Sequence, residues 1–294
     1  MRNRIAYSQN FLKDSKLIAS LITQSNISKD DLVFEIGAGS GIITEELTKQ
    51  ARKVVAFELD LNLFRKLTHI FAGNPKIDLK CGNFLKFSLP NTPYKVFSNI
   101  PFNITSDIIK KLTFSGNPPL DSYLIVQKEA ALKFSGKPFC DKNSLISVLL
   151  YPWFEFRIIH EFNRGDFFPR PNVDSVLLEI KKRTESLVND NDRDSYRDFV
   201  VFAFNQFSPN ILEGLAKVLG RQEILTLSRN LNFSTKQKPS EINFGNWLDL
   251  FNLFLSKLQN KKIIVSGSYN NWLRQQENIE KIHRTRVDKN WRRF

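Results

Sequence analysis

The chain has 294 residues, of which 41% are hydrophobic and 12% aromatic. This composition excludes a disordered or collagen-like protein and predicts a globular protein of about two domains. The 43 Lys and Arg outnumber the 30 Asp and Glu, and the net charge of +13 indicates a polyanionic partner or an anionic membrane surface.

The longest apolar stretch, residues 145–154, contains Ser147 and Pro152 and is far shorter than the roughly 20 residues that a membrane-spanning helix needs. The first residues lack the uninterrupted apolar segment of a secretory signal. We therefore expect a cytoplasmic protein with no membrane-spanning helix, and the motifs described below argue against a membrane partner. The two cysteines and three histidines show none of the paired spacings of a zinc site, so we expect no metal.

From residue 14 to residue 181 the chain alternates short β-branched runs with helical stretches, a pattern typical of βαβ units around a parallel sheet. The predicted parallel strands are 32–36, 53–58, 76–80, 95–99 and 122–127. Two later segments, 153–162 and 175–181, are predicted to form an antiparallel pair that closes the sheet.

A glycine-rich turn follows the first predicted strand. Gly37, Gly39 and Gly41 have the spacing G-x-G-x-G and directly precede a helical stretch at 42–50. Glycines at such a turn let the backbone approach a ligand, and the helix N-terminus offers unpaired N–H groups. The spacing differs from a dinucleotide fingerprint and lacks the Gly-Lys-Ser/Thr ending of a phosphate loop, which argues against NAD and ATP.

An acidic residue, Glu58, ends the next predicted strand, 17 residues after Gly41. A carboxylate at this position can accept hydrogen bonds from both hydroxyls of a ribose. The glycine turn and this acid occur in the order that a doubly wound sheet needs. Together they predict an adenosine-containing cofactor.

The hydrophobic period becomes helical after a polar stretch at 182–194. Apolar residues recur on one face from Tyr196 onward and again from Trp247 onward, which predicts a small helical domain over 194–260. The segment 261–294 carries nine Lys and Arg against three acidic residues and is predicted to be a basic tail.

The motif Asn99-Ile100-Pro101-Phe102 follows the fourth predicted strand. Together with Gln9-Asn10-Phe11-Leu12 and the glycine turn, it resembles the motifs of the rRNA adenine N-methyltransferases, and most closely the Erm proteins, which methylate an adenine of 23S rRNA. The resemblance covers residues 1 to about 260. It implies an α/β fold with a Rossmann-like S-adenosylmethionine-dependent methyltransferase sheet in a catalytic domain (1–182), a small all-α RNA-binding domain (194–260) and the basic tail (261–294).

The chemistry implied by this resemblance explains the residue types of the motif. An adenine amino nitrogen is a poor nucleophile because its lone pair is delocalised, whereas the methyl group of S-adenosylmethionine is already activated. The enzyme must therefore mainly position and polarise the amino group. The Asn99 side-chain oxygen and the Ile100 carbonyl would accept hydrogen bonds from it, and Pro101 would stiffen the loop. Phe102 would stack on one face of a flipped base.

A second aromatic position is implied by residues 167–173, Phe-Phe-Pro-Arg-Pro-Asn-Val, which resemble the family's F-x-P-x-P-x-V loop. The resemblance assigns Phe167 to the other face of the target base. A rigid proline-rich turn between two strands, without a role in the reaction, would have the same residues.

The resemblance also implies a set of cofactor contacts, with Glu58 on the ribose and Leu59 on the adenine. One position departs from the family, because Asn83 stands where an Asp usually binds the adenine amino group. Asn keeps an acceptor oxygen but loses the charge, so we expect weaker cofactor binding rather than an inactive site. The implied cofactor residues are Asn10, Leu12, Gly37, Gly39, Gly41, Glu58, Leu59, Asn83 and Asn99.

Three functions follow as hypotheses. The first is an Erm-type monomer that methylates an adenine of naked or partly assembled 23S rRNA and gives resistance to macrolides, lincosamides and streptogramin B. The second is a small-subunit rRNA adenine dimethyltransferase, which Gln127-Lys128-Glu129 favours, whereas Ile100 and Thr105-Ser106-Asp107 favour Erm. The third is a non-catalytic RNA-binding protein on the same fold, supported by the Arg and aromatic residues of the tail.

Overall fold

The computed structural model describes residues 10–206 and 208–278. They form two compact units, with the boundary between Leu187 and Val188. The strands of the first unit are β1 (Phe11–Leu12), β2 (Leu32–Ile36), β3 (Lys53–Glu58), β4 (Ile77–Cys81), β5 (Lys95–Asn99), β6 (Asp121–Gln127), β7 (Phe154–Phe162), β8 (Phe167–Phe168) and β9 (Ser175–Lys182). Its helices are α1 (Ser15–Gln24), α2 (Ile42–Gln50), α3 (Leu61–Ile70), α4 (Thr105–Thr113), α5 (Lys128–Ser135) and α6 (Leu145–Leu150).

The first unit is organised around a seven-stranded sheet in the order β4-β3-β2-β5-β6-β9-β7. Strands β2 to β6 pair in parallel, and β9 pairs antiparallel with both β6 and β7. The structure confirms the α/β prediction and the antiparallel closure. Three predicted strands, at 32–36, 53–58 and 95–99, have the observed bounds, and the others differ by one residue at one or both ends.

Local capping explains where two of the helices begin. Asp14 accepts a hydrogen bond from the backbone N–H of Lys16 at 2.8 Å, at the start of α1. Asp60 accepts a hydrogen bond from the backbone N–H of Asn62 at 2.8 Å, at the start of α3. Asp60 lies two residues after Glu58, the last residue of β3. These caps satisfy N–H groups that a helix leaves without partners. The first cap follows β1, and the second follows β3.

A separate two-stranded sheet joins two distant parts of the chain. Strand β1 pairs antiparallel with β8, with Phe11 opposite Phe168 and Leu12 opposite Phe167. Leu12 and Phe167 are buried in the core, whereas Phe168 is 70% exposed. Sequence periodicity did not predict this sheet, because a strand of two residues shows no alternation.

The second unit is helical, with an aromatic core. The rings of Phe199 and Phe254 stack at 5.0 Å, and those of Tyr196 and Phe251 meet edge to face at 5.0 Å. Phe199 also contacts Trp247, which is fully buried. The helices of the second unit are α7 (Arg193–Asn205), α8 (Ile211–Leu219), α9 (Arg221–Asn230), α10 (Phe244–Ser256), α11 (Leu258–Val265) and α12 (Ser268–Asn278).

Part of the predicted basic tail belongs to this helical unit. Lys261, its predicted first residue, lies within α11, and Val265 at the end of that helix is 1% exposed. The Asp198 carboxylate of α7 accepts hydrogen bonds from the N–H groups of Gly267 and Tyr269 at 3.0 and 2.8 Å. Residues 279–294 of the tail, like Gln9 of the amino-terminal motif, lie outside the described residues.

Within residues 10–206 and 208–278, the structure contains no helix that is both long enough and apolar enough to span a membrane.

Candidate active site

The predicted motifs converge at the carboxyl edge of the parallel strands. The glycine turn follows β2, Glu58 ends β3 and Asn99 ends β5. Strand β2 lies between β3 and β5, so the strand order reverses at this point. Such a reversal opens a crevice in which α/β proteins bind ligands.

The glycine turn has a backbone that residues with side chains rarely adopt. Gly37, Gly39 and Gly41 have φ values of +79°, +58° and +86°. A Cβ atom on Gly39 would lie 2.7 Å from the Phe11 ring, and one on Gly41 would lie 2.8 Å from Leu67. The absence of a side chain at Gly39 therefore leaves room for the Phe11 ring of β1. Its absence at Gly41 leaves room for Leu67, so that α3 packs against the turn.

Glu58 is held at the turn by two backbone donors. Its Oε2 accepts a hydrogen bond from the Gly39 N–H at 2.8 Å, and its Oε1 accepts one from the Asp60 N–H at 2.8 Å. The residue is 1% exposed. Because a carboxylate oxygen has two lone pairs, each oxygen has one further acceptor position beyond these bonds. Leu59, which follows it, is 48% exposed and available to pack on an adenine.

Asn83 lies at the neighbouring strand end. Cys81 pairs with Glu58 in the sheet, and the Gly82 N–H donates to the Glu58 carbonyl at 2.8 Å. The Asn83 Oδ1 accepts a hydrogen bond from the Leu85 N–H at 2.9 Å and begins a short 3-10 turn. Asn83, the position that departs from the family, thus lies close in the sheet to Glu58, the residue expected to bind the ribose.

The side chain of Asn99 is oriented by the amino-terminal segment. Its Nδ2 donates a hydrogen bond to the Asn10 carbonyl at 2.7 Å. With a donor hydrogen engaged in this way, the amide plane is fixed, and Oδ1 remains as its acceptor. The structure thereby brings together Asn10 and Asn99, which lie 89 residues apart.

The remaining residues of the Asn-Ile-Pro-Phe motif differ in exposure. Ile100 is 1% exposed, and Pro101 lies 3.7 Å from the position of a Cβ on Gly37. Phe102 is half-buried and begins a 3-10 turn. The proline thus packs against the glycine turn and joins the two loops of the site.

Two serine hydrogen bonds that sequence reasoning missed connect the strands below these loops. The Ser98 hydroxyl donates to the Ile36 carbonyl at 2.6 Å and accepts from the Ile36 N–H at 3.0 Å. The only sequence signal is a polar residue in an otherwise apolar strand. These bonds fix Asn99 relative to the residue that precedes Gly37.

Phe167 is not open to a ligand in this structure. The residue is 1% exposed, and its ring lies 5.4 Å from that of Phe162 in the core of the first unit. It therefore presents almost no surface on which a base can stack. The resemblance to the F-x-P-x-P-x-V loop implies a second aromatic ring against the target base, and Phe167 does not expose such a ring in this structure.

A buried acid, Glu35, lies in β2, which pairs with β3, the strand that ends at Glu58. It accepts a hydrogen bond from the Thr44 hydroxyl at 2.5 Å. Burial raises the pKa of Glu35 to about 8, the Thr44 hydrogen bond opposes this rise, and the Glu58 charge adds to it. An acid inside the apolar run Val33–Ile36 was the available sequence signal, but no role was predicted for it.

The chemical groups at this edge fit an adenosine-bearing cofactor. They provide a held carboxylate, a glycine turn and an oriented amide. Across the described residues, the structure contains no group of three or more His, Cys, Asp or Glu arranged to hold a metal ion. The Asn99 side-chain oxygen and the Ile100 carbonyl can accept hydrogen bonds but are not strong bases.

Comparisons with known proteins agree with this chemistry. Residues 1–255 match the family model described as ribosomal RNA adenine dimethylase. The chain is 30% identical over 246 residues to an rRNA adenine N-6-methyltransferase of Bacteroides fragilis, covering 83% of this chain and 90% of that protein. It is 31% identical over 218 residues to ribosomal RNA small subunit methyltransferase A of Listeria monocytogenes, covering 71% and 74%. The crystal structure of the 23S rRNA methyltransferase ErmE superposes with a TM-score of 0.77 at 27% identity, covering 83% of this chain and 99% of that one.

Proposed function

The chain belongs to the ribosomal RNA adenine dimethylase family, and from this we propose that it transfers methyl groups from S-adenosylmethionine to the exocyclic amino group of an adenine in 23S rRNA. The observation that carries the proposal is the orientation of Asn99. Its amide is tied to the Asn10 carbonyl at 2.7 Å and stands at the end of β5, beside the glycine turn. An acceptor held at this place can orient an adenine amino group toward a cofactor bound at the turn.

The residues would contribute mainly by position. The bound cofactor supplies a methyl group activated by its sulfonium, and Glu58 would hold the cofactor ribose. Asn99 Oδ1 and the Ile100 carbonyl would accept hydrogen bonds from the amino group and direct its nitrogen lone pair toward the methyl carbon. The cofactor would supply the methyl group while the C–S electron pair stays on its sulfur, and the methylated nitrogen would lose its proton to water.

Two observations favour 23S rRNA over small-subunit rRNA as the substrate. The match to the Bacteroides adenine N-6-methyltransferase covers 83% of this chain, against 71% for the Listeria small subunit enzyme. The structural match to ErmE has a TM-score of 0.77 at 27% identity, against 0.66 at 20% identity for a dimethyladenosine transferase from Plasmodium falciparum. Ile100 and residues 105–107 support the same choice.

Methyl transfer to two RNA substrates tests the proposal. The protein is incubated with S-adenosylmethionine labelled on its methyl group and with either protein-free 23S rRNA or small-subunit particles. We expect label in 23S rRNA and none with Asn99→Ala. Label only in small-subunit particles would support the dimethyltransferase alternative, and label in neither would support a non-catalytic RNA-binding protein.

The proposed substrate also leads to a cellular prediction. We propose that a cytoplasmic monomer acts on naked or partly assembled 23S rRNA and gives resistance to macrolides, lincosamides and streptogramin B. Expression in a susceptible bacterium should raise the inhibitory concentrations of these drugs and leave that of an aminoglycoside unchanged. Primer-extension stops on the rRNA would locate the modified adenine.

A further inference from the structure

A lysine of α4 holds the loop that begins at Asn83. Helix α4 follows the Asn-Ile-Pro-Phe motif, and Lys111 lies in its second half. The Lys111 Nζ donates hydrogen bonds to the Leu85 carbonyl at 3.1 Å and to the Phe87 carbonyl at 2.7 Å. We propose that Lys111 is a positioning residue that keeps residues 83–87 in place for the adenine of S-adenosylmethionine. This inference rests on the proposed function.

The lysine ammonium contacts the end of the 3-10 turn Phe84–Lys86. The last carbonyls of a helical turn have no partner within it and carry partial negative charge, so a nearby cation stabilises them. Nζ also lies 5.6 Å from the centre of the Phe84 ring, which is within the range of a cation–π contact. An ammonium has three donor hydrogens, and two carbonyls and a ring face are present to receive them. These contacts fix the turn against α4.

The Asn83 side chain is oriented by a residue that Lys111 holds. The Asn83 Oδ1 accepts a hydrogen bond from the Leu85 N–H at 2.9 Å, while the Leu85 carbonyl accepts one from Lys111. A displacement of Leu85 would therefore move the Asn83 oxygen, which is the acceptor expected for the adenine amino group. Lys111 thus acts on the cofactor through Asn83.

An aromatic contact extends this connection from the turn to β3. The Phe84 ring meets the Phe57 ring edge to face at 5.1 Å. The Phe57 carbonyl accepts a hydrogen bond from the Gly37 N–H at 2.8 Å, and the next residue is Glu58, which is expected to bind the ribose. The turn held by Lys111 therefore packs against the strand that supports the rest of the adenosine site.

A second lysine makes the same kind of contact at the other edge of the sheet. The Lys76 Nζ donates hydrogen bonds to the Thr48 and Ala51 carbonyls at 2.9 and 3.2 Å, at the end of α2. Lys76 precedes β4 and so lies at the amino edge of the parallel strands, whereas Asn83 follows β4 at the carboxyl edge. Lys76→Met therefore removes two lysine–carbonyl bonds, as Lys111→Met does, but away from the cofactor site. It is the matched control.

Lys111→Met tests the proposal, because it keeps an unbranched apolar side chain and removes the donors. The dissociation constant of S-adenosylmethionine in calorimetry should rise by about tenfold or more, as for the loss of hydrogen bonds made by a charged group. The single-turnover rate at saturating cofactor and 23S rRNA should stay within about threefold of the wild type, since Asn99 is unchanged. Lys111→Arg, which keeps donors for the carbonyls, should bind the cofactor within about threefold of the wild type. Lys76→Met should leave the dissociation constant unchanged.

A double-mutant cycle with Asn83→Ala separates positioning from a general loss of stability. If Lys111 acts through Asn83, Lys111→Met should raise the dissociation constant by less than half as large a factor when Asn83 is already replaced. Equal dissociation constants of Lys111→Met and the wild type, equal increases in Lys111→Met and Lys76→Met, or increases that simply multiply in the double variant would overturn the inference. A wild type that does not bind S-adenosylmethionine would instead contradict the proposed function.

Discussion

At the scale of single residues, the orientation of Asn99 is the feature on which the proposed chemistry depends. A carboxylate cannot donate a hydrogen bond, so Asn99→Asp would place an acceptor against the Asn10 carbonyl and turn the side chain away from its observed orientation. We expect the rate of methyl transfer under single-turnover conditions to fall by about 100-fold or more, as for the loss of one group that stabilises a transition state.

The control for this prediction is the thermal stability of the variant. Asn99 is partly exposed, so Asn99→Asp should melt within a few degrees of the wild type. A fully folded variant with a single-turnover rate within about fivefold of the wild type would show that Asn99 does not position the reacting amino group.

Asn83 gives a gain-of-function prediction at the same scale. Asn83→Asp keeps the acceptor for the Leu85 N–H and adds the negative charge that the family usually has there. We expect a smaller dissociation constant for S-adenosylmethionine in calorimetry. An unchanged or larger value would remove this position from the cofactor site.

Glu35 predicts how stability depends on pH. Between its unfolded pKa of 4.5 and its folded pKa of about 8, the folded state binds a proton that the unfolded state has lost. The contribution of this residue is therefore fully present below about pH 4.5 and is lost as pH rises to about 8, by roughly 3 kcal/mol between pH 5 and pH 8. Glu35→Gln should be more stable than the wild type at pH 8 and nearly equal to it at pH 5.

Urea unfolding at both pH values measures this difference. The matched control is Glu45→Gln on the exposed face of α2, which should change stability little at either pH. An identical pH dependence for Glu35→Gln and the wild type would show that Glu35 does not hold its proton in the folded state.

At the scale of elements, the glycine turn and β1 depend on each other. Gly39→Ala would push the Phe11 ring away, because the new Cβ would lie 2.7 Å from it. Gly73→Ala is the matched control, since Gly73 also has a positive φ, +77°, but nothing lies within 4 Å of its Cβ position. Both variants should lose about 1 to 2 kcal/mol of stability through backbone strain.

The two variants should differ in cofactor binding. Displacing Phe11 also displaces Asn10 and the turn, so Gly39→Ala should weaken S-adenosylmethionine binding by at least about tenfold, while Gly73→Ala leaves the dissociation constant unchanged. Equal affinities of the two variants would show that β1 is not coupled to the cofactor turn.

The same elements show what the sequence predicts and what it does not. The strands β2, β3 and β5 were predictable because each is a short and largely buried run that ends at a turn or a polar residue. The pairing of β1 with β8 was not, because each strand has two residues and they lie more than 150 positions apart. The orientation of Asn99 and the burial of Phe167 both depend on this pairing, so they also escaped prediction.

At the scale of the whole molecule, part of the net charge of +13 lies in the last residues of the chain. Residues 279–294 contain six Lys or Arg and two acidic residues, a net charge of +4. Deleting them should weaken RNA binding and make the slope of log K against log salt less negative by about 1 or more, because fewer counterions are released. The deletion leaves α11 and α12 complete, and the melting temperature is the control for correct folding of the shortened chain.

A full-length variant separates charge from chain length in this test. In this variant, Gln replaces each basic residue of the segment: Lys281, Arg284, Arg286, Lys289, Arg292 and Arg293. It should bind RNA with the same reduced salt slope as the deletion. A wild-type slope in both variants would mean that the segment makes no phosphate contacts.

The central claim is that Asn99 directs methyl transfer to an adenine amino group of 23S rRNA. Mass spectrometry of nucleosides tests it most directly, after protein-free 23S rRNA has been incubated with S-adenosylmethionine carrying a deuterated methyl group and then digested. We predict deuterated N6-methyladenosine with the wild type and none with Asn99→Ala. Deuterium on another nucleoside, or equal amounts of N6-methyladenosine from both proteins, would contradict the claim.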